Sequence, residues 1–414
     1  MREYLFMALV AAAVTYLLVP LVRRFAIRIG AMPEVRDRDV HTVPTPRLGG
    51  LAMYGGLVAG LLAATQLDKT GEVLGQDQTV IALIAAGGLI TLTGFLDDWW
   101  GMDPFIKLGG QIGAAGVLVY FGLALPWVPW VNGETISLPP DLSAVITILV
   151  VVVAINAVNF VDGLDGLAAG IVGIAAAATW VYAIFLDQSI ELNRINTTAA
   201  ITAVLIGMCL GFLPHNFHPA KIFMGDTGAM LLGLVLASSL VTVTAVDSEV
   251  IEGMNRFGAL MPILLPAAVM VLPLIDLISA VVRRTSMGLS PFAPDRGHLH
   301  HRLLDIGHSH RRTVLIMYAW TSGFALGLVG MSVWGVPVVY FPIAIVVALA
   351  VLVLFSLPRW RGRGGAHAAK RKDTPDDDDD GPPTGPMPPI RAEFQQVHPA
   401  KEDASGVPVF PARS

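Results

Sequence analysis

Eleven long apolar runs divide this chain of 414 residues, near positions 4–22, 48–66, 80–96, 108–125, 141–158, 167–186, 197–213, 228–246, 258–282, 314–332 and 336–357. A bilayer core about 30 Å thick takes roughly 20 such residues per helical span, and a backbone in lipid must satisfy its own hydrogen bonds. The pattern predicts an all-α, polytopic integral membrane protein with about 11 transmembrane helices. The run at 258–282 contains Pro262, Pro266 and Pro273, each of which removes a helical hydrogen bond, so a kinked or broken helix is expected there. Only 14% of residues are charged, against about 25% in soluble domains, which argues against a water-soluble globular protein. The one cysteine, Cys209, lies inside an apolar run, so it reads as a buried thiol and no internal disulfide can form.

The placement of charge orients the spans, because loops rich in Lys and Arg stay in the cytosol. With the N-terminus outside, the inner loops and the stretch just after the last run hold 20 of the 27 basic residues. Four fall outside: Arg2, Lys69, Arg194 and Arg256. An odd number of spans then puts the C-terminus in the cytosol. Arg23, Arg24 and Arg28 follow the first run and do not precede it, which fits a span better than a cleaved signal peptide.

The formal net charge of -5 suggests a weakly acidic protein, but it belongs to the end of the chain. Residues 373–414 hold nine acids and three bases, and without them the sum is +1, from 24 bases and 23 acids. Residues 358–414 begin basic, then run through five aspartates and a Pro-rich stretch. Such a composition forms no packed core, so a disordered cytosolic tail is expected. The expected organisation is a membrane-embedded domain over 1–357, with catalytic loops at 23–47, 97–107, 156–166, 214–228 and 283–313, followed by the tail. No fixed-period repeat and no zinc, Walker or Rossmann spacing is present.

With this topology the reactive residues share one face. Nine of the ten histidines fall in inner loops or just past the last run: His41, His215, His218, His298, His300, His301, His308, His310 and His367. Five segments carry the chemistry. The first, RDRDVHTVPTPRLGG, presents His41 and Arg47 at the membrane surface. The second, FLDDWWG, sets Asp97 and Asp98 at the inner end of a span, where adjacent carboxylates are costly unless paired or bound to a cation. Lys107 is near enough in sequence to be the partner.

In the third segment, NAVNFVDGLDGLAAG, Asn156 and Asn159 are three residues apart, as are Asp162 and Asp165; in a helical turn each pair shares a face. The fourth, PHNFHPAKIFMGDTGAM, carries Asn216, Lys221, Phe223 and Asp226. The fifth, PDRGHLHHRL, offers Arg296, His298, His300, His301 and Arg302. Arginine in that density suits anionic oxygens, which its planar fork binds in a bidentate way.

Zinc fits this set poorly. His298 and His301 have usable spacing, but there is no local cysteine and the nearby arginines repel a cation. Separate aspartates suit a harder ion, and magnesium prefers one or two carboxylates plus phosphate oxygens and water. The residues therefore describe a Mg²⁺-dependent site for a phosphorylated substrate, with Mn²⁺ as a possible substitute.

These motifs, in this order, resemble the polyprenyl-phosphate N-acetylhexosamine-1-phosphate transferases (glycosyltransferase family 4), and within them the WecA-like enzymes that use UDP-GlcNAc. The resemblance runs through HTVPTPRLGG, FLDDWWG, NAVNFVDGLDGL, NFHPAKIFMGDTG and PDRGHLHHRL, covers about residues 1–357, and leaves out the acidic tail. It implies that a polyprenyl phosphate (undecaprenyl or decaprenyl) attacks the β-phosphorus of UDP-GlcNAc, giving polyprenyl-diphospho-GlcNAc and UMP. That would be the first membrane step of a cell-envelope polysaccharide or an arabinogalactan linker.

The resemblance also implies roles. Asp226 matches the metal ligand, with Asp98 beside it. Asp97 and Asp98 match the pair next to the lipid phosphate, Asp97 as a base or as part of a covalent route. Asn159 and Asp162 match positions near the nucleotide, and Asn216 and Phe223 match residues that hold and stack on uracil. Arg296, His298, His300, His301 and Arg302 match the loop on the sugar and diphosphate, His301 among the catalytic set. Lys107 is placed near the substrate. The implied location is a bacterial plasma membrane with the site on the cytosolic face; a homodimer is common in the family.

Two other readings compete. A phospho-MurNAc-pentapeptide transferase typically has PTMGG and three successive histidines, where this chain has PTPRLGG and HLHH. A lipid-linked-sugar transporter or flippase would carry its acids on toward the outer half of the membrane, whereas here the motif carboxylates stop at the inner ends. Nothing supports a nucleic-acid partner.

Overall fold

The computed structural model describes residues 1–32, 45–76, 78–129, 135–190, 193–244, 285–286, 288, 308–334 and 343. Ten helices and one small hairpin are present among them: α1 (Arg2–Arg28), α2 (Gly49–Ala64), α3 (Asp68–Gln76), α4 (Thr79–Trp100), α5 (Pro104–Tyr120), β1 (Trp127–Pro129), β2 (Thr135–Ser137), α6 (Pro140–Val161), α7 (Leu167–Ile190), α8 (Asn193–Asn216), α9 (Gly225–Thr244) and α10 (His310–Val333). The described residues are those of an all-α polytopic membrane protein, with that antiparallel hairpin, in which Val128 faces Ile136, as the one sheet among them.

Seven of these helices are long and apolar enough to cross a membrane: α1, α4, α6, most of α7 and α8, α9 and α10. The run at 48–66 behaves differently. It forms α2, after which the chain turns by 102° into α3, a broken span or a re-entrant pair. The run at 108–125 becomes α5, whose 17 residues give a helix of about 25 Å at 1.5 Å per residue. The run at 258–282, that at 336–357 apart from Ile343, and the tail from 358 lie outside the described residues.

Helix α9 is the axis of the assembly. It is wholly buried from Thr227 to Thr244 and packs against α2, α4, α6, α7 and α8. A helix apolar on every side has no solvent or lipid face to keep, and needs neighbours all round. Outer helices are amphipathic in another sense: α1 hides Met7, Ala11 and Val19 but exposes Leu5, Leu9 and Leu17, as expected where lipid replaces water. Close crossings use small residues, with Gly207 and Gly211 of α8 set against the backbone of Ala8 and Ala12 in α1. Without a hydrophobic force between helices in lipid, such close approach is what holds them.

Helices alternate in direction, so their ends fall into two sets. At one end, Glu3 of α1 accepts from the backbone N–H groups of Lys69 and Thr70 at 3.2 and 2.9 Å. At the other lie the C-terminal ends of α1, α4, α6 and α8 and the N-terminal ends of α2, α5, α7, α9 and α10, linked by the contacts described next.

Candidate active site

The second of these ends is built on backbone pairing between two distant loops. Phe223 N–H donates to Pro46 C=O at 2.9 Å, Gly49 N–H to Phe223 C=O at 2.9 Å, and Gly50 N–H to Met224 C=O at 3.1 Å. The RLGG segment therefore runs along the IFMG segment and brings the start of α2 against the start of α9. Only glycine fits at position 50, where a Cβ would overlap the backbone of Thr227 and Gly228. Gly94 of α4 serves the same purpose from the other side, since a Cβ there would lie 2.5 Å from Thr227 Cα.

Into this junction α4 delivers its two carboxylates. Lys107 Nζ, in the first turn of α5, donates to Asp97 Oδ2 at 2.8 Å and to Asp226 Oδ2 at 2.6 Å. Asp97 Oδ1 accepts the Met102 N–H at 2.8 Å. Asp98 points the other way, to the start of α9: its Oδ1 accepts Asp226 N–H at 3.0 Å, and its Oδ2 accepts Thr227 N–H at 2.9 Å and Thr227 Oγ1–H at 2.6 Å.

Asp162 closes the group from the end of α6 and is half-buried. Burial pushes its carboxyl up to about 8, the negative charges of Asp226 and Asp98 add to the shift, and Arg47 opposes it. Among the described residues no hydrogen bond reaches that carboxyl. Lys107 thus reaches Asp97 and Asp226, and Arg47 reaches Asp98 and Asp162, four acids to two bases. Oxygen donors in that excess fit a divalent cation of the magnesium kind. Asn159, one turn before Asp162 and also half-buried, is oriented by α6.

A second cluster lies behind the DGLDG turn. Asn216 is 2% exposed; its Oδ1 accepts Gly166 N–H at 3.0 Å and its Nδ2 donates to Ile222 C=O at 3.0 Å. It ties the third motif to the fourth and sets the strand of chain that carries Phe223. Asp165 is buried, with Oδ2 2.8 Å from His218 Nδ1 and accepting Ala220 N–H at 3.1 Å. Its own N–H donates to His310 Nε2 at 3.1 Å, and the His218 and His310 rings stack at 4.4 Å. Arg311 holds His218 C=O with Nε and Nη2 at 3.1 and 2.9 Å, and the Tyr318 hydroxyl donates to Gly166 C=O. Asp165, His218 and His310 offer atoms within 4.8 Å of one another, but stacked rings cannot both aim in-plane lone pairs at one ion; the arrangement works as a latch for α10.

Of the residues singled out in the sequence, Asp97, Asp98, Lys107, Asp162 and Asp226 come within electrostatic reach of one another. Asn159 lies one turn before Asp162 on α6, Phe223 lies on the segment paired with Pro46 and Gly49, and Asn216 holds the second cluster. Asn156 does not join: its Nδ2 donates to Gln111 Oε1 at 2.6 Å between α6 and α5. His41, Arg296, His298, His300, His301 and Arg302 lie outside the described residues. Thr227 and Tyr318 were not singled out. Thr227 was legible within MGDTG as a hydroxyl beside the acid, while Tyr318 sits in an apolar run and gave no signal.

Around the α4–α5 junction the surface is apolar. Trp99 and Trp100 stack at 4.4 Å, Trp100 is 67% exposed and Phe105 82%. Aromatic side chains favour the membrane–water boundary, and Trp99 and Trp100 follow Asp97 and Asp98 directly in the chain.

Residues 80–244 match the family described as Glycosyl transferase family 4. The decaprenyl-phosphate N-acetylglucosaminephosphotransferase of Mycolicibacterium smegmatis is 46% identical over 88% of this chain and 91% of its own length. A probable undecaprenyl-phosphate N-acetylglucosaminyl 1-phosphate transferase of Bacillus subtilis is 32% identical over 75% of this chain and 80% of its own. A phospho-N-acetylmuramoyl-pentapeptide-transferase of Pelotomaculum thermopropionicum is also 32% identical, over 76% and 93%.

Proposed function

The chain belongs to the polyprenyl-phosphate N-acetylglucosamine-1-phosphate transferases of glycosyl transferase family 4, and from that membership we propose that it transfers GlcNAc-1-phosphate from UDP-GlcNAc to a polyprenyl phosphate, decaprenyl phosphate in the first instance. The lipid phosphate oxygen forms a bond to the β-phosphorus, the bond from that phosphorus to the bridging oxygen breaks, and UMP leaves with the oxygen. The identity of 46% to a decaprenyl-phosphate enzyme, against 32% to a pentapeptide transferase, favours the GlcNAc branch. The PRLGG and HLHH segments point the same way.

One observation carries the reading: an acid-rich cluster with one shared lysine sits beside exposed tryptophans. A lipid phosphate needs that combination, an apolar flank for its chain and cationic groups for its head. A phosphate monoester, with a second pKa of about 6, is already largely a dianion at neutral pH and needs little activation. The work left to the protein is orientation and neutralisation. Lys107 supplies a movable positive charge to the diphosphate, Arg47 a second, and Asp97 accepts any residual proton from the incoming phosphate. Phe223 offers an aromatic face for uracil, on a segment held by Asn216.

Asp226 would hold Mg²⁺, with Asp162 within electrostatic reach of it and Asp98 behind it. When bound, the ion acts as a Lewis acid and template for the diphosphate. The basic loop with Arg296, His298, His300, His301 and Arg302 contacts sugar and diphosphate in this proposal. The site faces the cytosol of a bacterial plasma membrane. In support, Arg23, Arg24, Arg28, Arg47, Lys107, Lys221, Arg311 and Arg312 gather at the site end, and Arg2 and Lys69 at the other.

The test is UMP release by purified protein given polyprenyl phosphate and a panel of UDP-sugars. Turnover with UDP-GlcNAc is expected. Turnover only with UDP-MurNAc-pentapeptide would choose the other branch, and no UMP with any sugar would restore the transporter.

A further inference from the structure

We propose that Asp98 is a positioning residue: from α4 it caps the N-terminus of α9, and so fixes the carboxylate of Asp226 where the cation and the diphosphate meet it. This deepens the reading above and rests on it for the role of Asp226, though the cap itself does not.

The geometry differs sharply between the two adjacent aspartates. Asp97 faces Lys107 and shares it with Asp226. Asp98 faces backbone. The first N–H groups of a helix have no intrahelical acceptor, and they are ordinarily satisfied by the side chain just before the helix. Before α9 stands Met224, whose thioether is a poor acceptor, and the helix's first residue, Gly225, with φ +68°, has no side chain to offer. The space its Cβ would fill is taken by the Asp98 carboxylate. Two N–H groups and the Thr227 hydroxyl converge on that carboxylate at 3.0, 2.9 and 2.6 Å. An acid at a helix N-terminus also meets the positive end of the helix dipole. Asp98 is thus a cap supplied in trans, 128 residues away in the chain.

The consequence for the site follows from which N–H is held. Asp98 Oδ1 grips the N–H of Asp226 itself, so any slackening of the cap moves the Cα from which the Asp226 side chain departs. Gly94, one turn before Asp98, lies against Asp226 and Thr227 backbone and keeps α4 close enough for the grip. A residue with this job differs from a ligand in what replaces it. Asparagine keeps one of the two accepting oxygens and so holds part of the cap where alanine holds none, but it is a neutral side chain and a far poorer partner for a hard cation.

The experiment compares Asp98→Asn, Asp98→Ala, Thr227→Ala, the double variant Asp98→Asn with Thr227→Ala, and Asp226→Asn. Each is measured for Mn²⁺ affinity by electron paramagnetic resonance, for melting temperature, and for the metal dependence of UMP release. The proposal expects Asp98→Asn to weaken Mn²⁺ binding only about 3-fold and Asp98→Ala about 10-fold or more, in line with the loss of a cap. Excess metal should bring Asp98→Asn back to within about 3-fold of wild-type turnover, since the carboxylate it displaced is still present. Thr227→Ala should shift the metal dependence the same way, and the double variant should be no worse than the larger single effect.

Two results would overturn the proposal. Turnover of Asp98→Asn that stays lost at saturating metal would make Asp98 a catalytic group. A lowered melting temperature with unchanged Mn²⁺ affinity in all Asp98 and Thr227 variants would make the cap merely structural. Where Asp98→Ala fails to fold, Thr227→Ala and Asp98→Asn decide. Absence of UMP from any sugar, with Mn²⁺ binding and Asp98–Thr227 coupling intact, would sink the functional reading and leave the cap standing.

Discussion

Lys107 on α5 and Asp226 on α9 meet at 2.6 Å, although 119 residues separate them in the chain. The same ammonium lies 2.8 Å from Asp97 on α4, so three helices share one positive charge. Two carboxylates that close repel each other unless a cation stands between them. The lysine fills that position, and in the proposed reaction it would also meet a phosphate.

Replacing Lys107 with Met should lower turnover by about 100-fold, the scale seen when one preorganised charge is removed from a site. It should also lower the melting temperature in chelator, because Asp97 and Asp226 are left facing each other. Mg²⁺ should then raise the melting temperature more in Lys107→Met than in wild type. Equal Mg²⁺ shifts in the two proteins would remove Lys107 from the cation's surroundings.

Asp162 gives the pH dependence. Its carboxyl is pushed up to about 8 from an ordinary 3.8, first by burial and then by Asp226 and Asp98. The folded protein therefore keeps a proton that the unfolded chain has lost, and the group's contribution to stability is complete below about pH 4 and lost as pH rises through about 8. Between about pH 5.5 and 8.5 the melting temperature of wild type should fall more steeply than that of Asp162→Asn. Parallel slopes would show that Asp162 does not titrate there.

Gly50→Ala should be among the most damaging single methyl additions in the protein. Its Cβ meets backbone of Thr227 and Gly228, not a side chain that could turn away. Overpacking of this kind costs about 1–3 kcal/mol, and here it also shifts the start of α9. Reduced melting temperature together with weakened Mn²⁺ binding is expected. Gly116→Ala, where nothing lies within 4 Å, is the control that should leave both unchanged.

Deleting residues 373–414 should leave UMP release within about 2-fold of the full chain, because a segment of that composition is expected to form no packed core. Loss of activity on truncation would give the acidic tail a role in the reaction.

Much of the architecture was legible because apolar runs of membrane length have few alternatives. The run at 141–158 became α6 over Pro140–Val161, and that at 228–246 became α9 over Gly225–Thr244. The meeting of FLDDWWG, NAVNFVDGLDGL and FMGDTG at one end followed from alternating direction alone. What stayed hidden were partner choices set by helix rotation. Asn156 and Asn159 are alike in sequence, yet only Asn156 turns to Gln111. Asp97 and Asp98 are adjacent, so they must diverge by about 100° around α4, and that divergence gives one a lysine and the other a helix end. Nor could a hydropathy run show that 48–66 breaks after Ala64 and turns through 102°.

The central claim is phosphoryl transfer from the nucleotide to the lipid at this cluster. It is tested most directly by following the β-phosphorus of isotopically labelled UDP-GlcNAc in the presence of decaprenyl phosphate and Mg²⁺. The account predicts that the label moves into the lipid fraction, one for each unlabelled UMP released, and that Asp226→Asn does neither while staying folded. Label that remains with the nucleotide, or transfer that persists in Asp226→Asn, would contradict it.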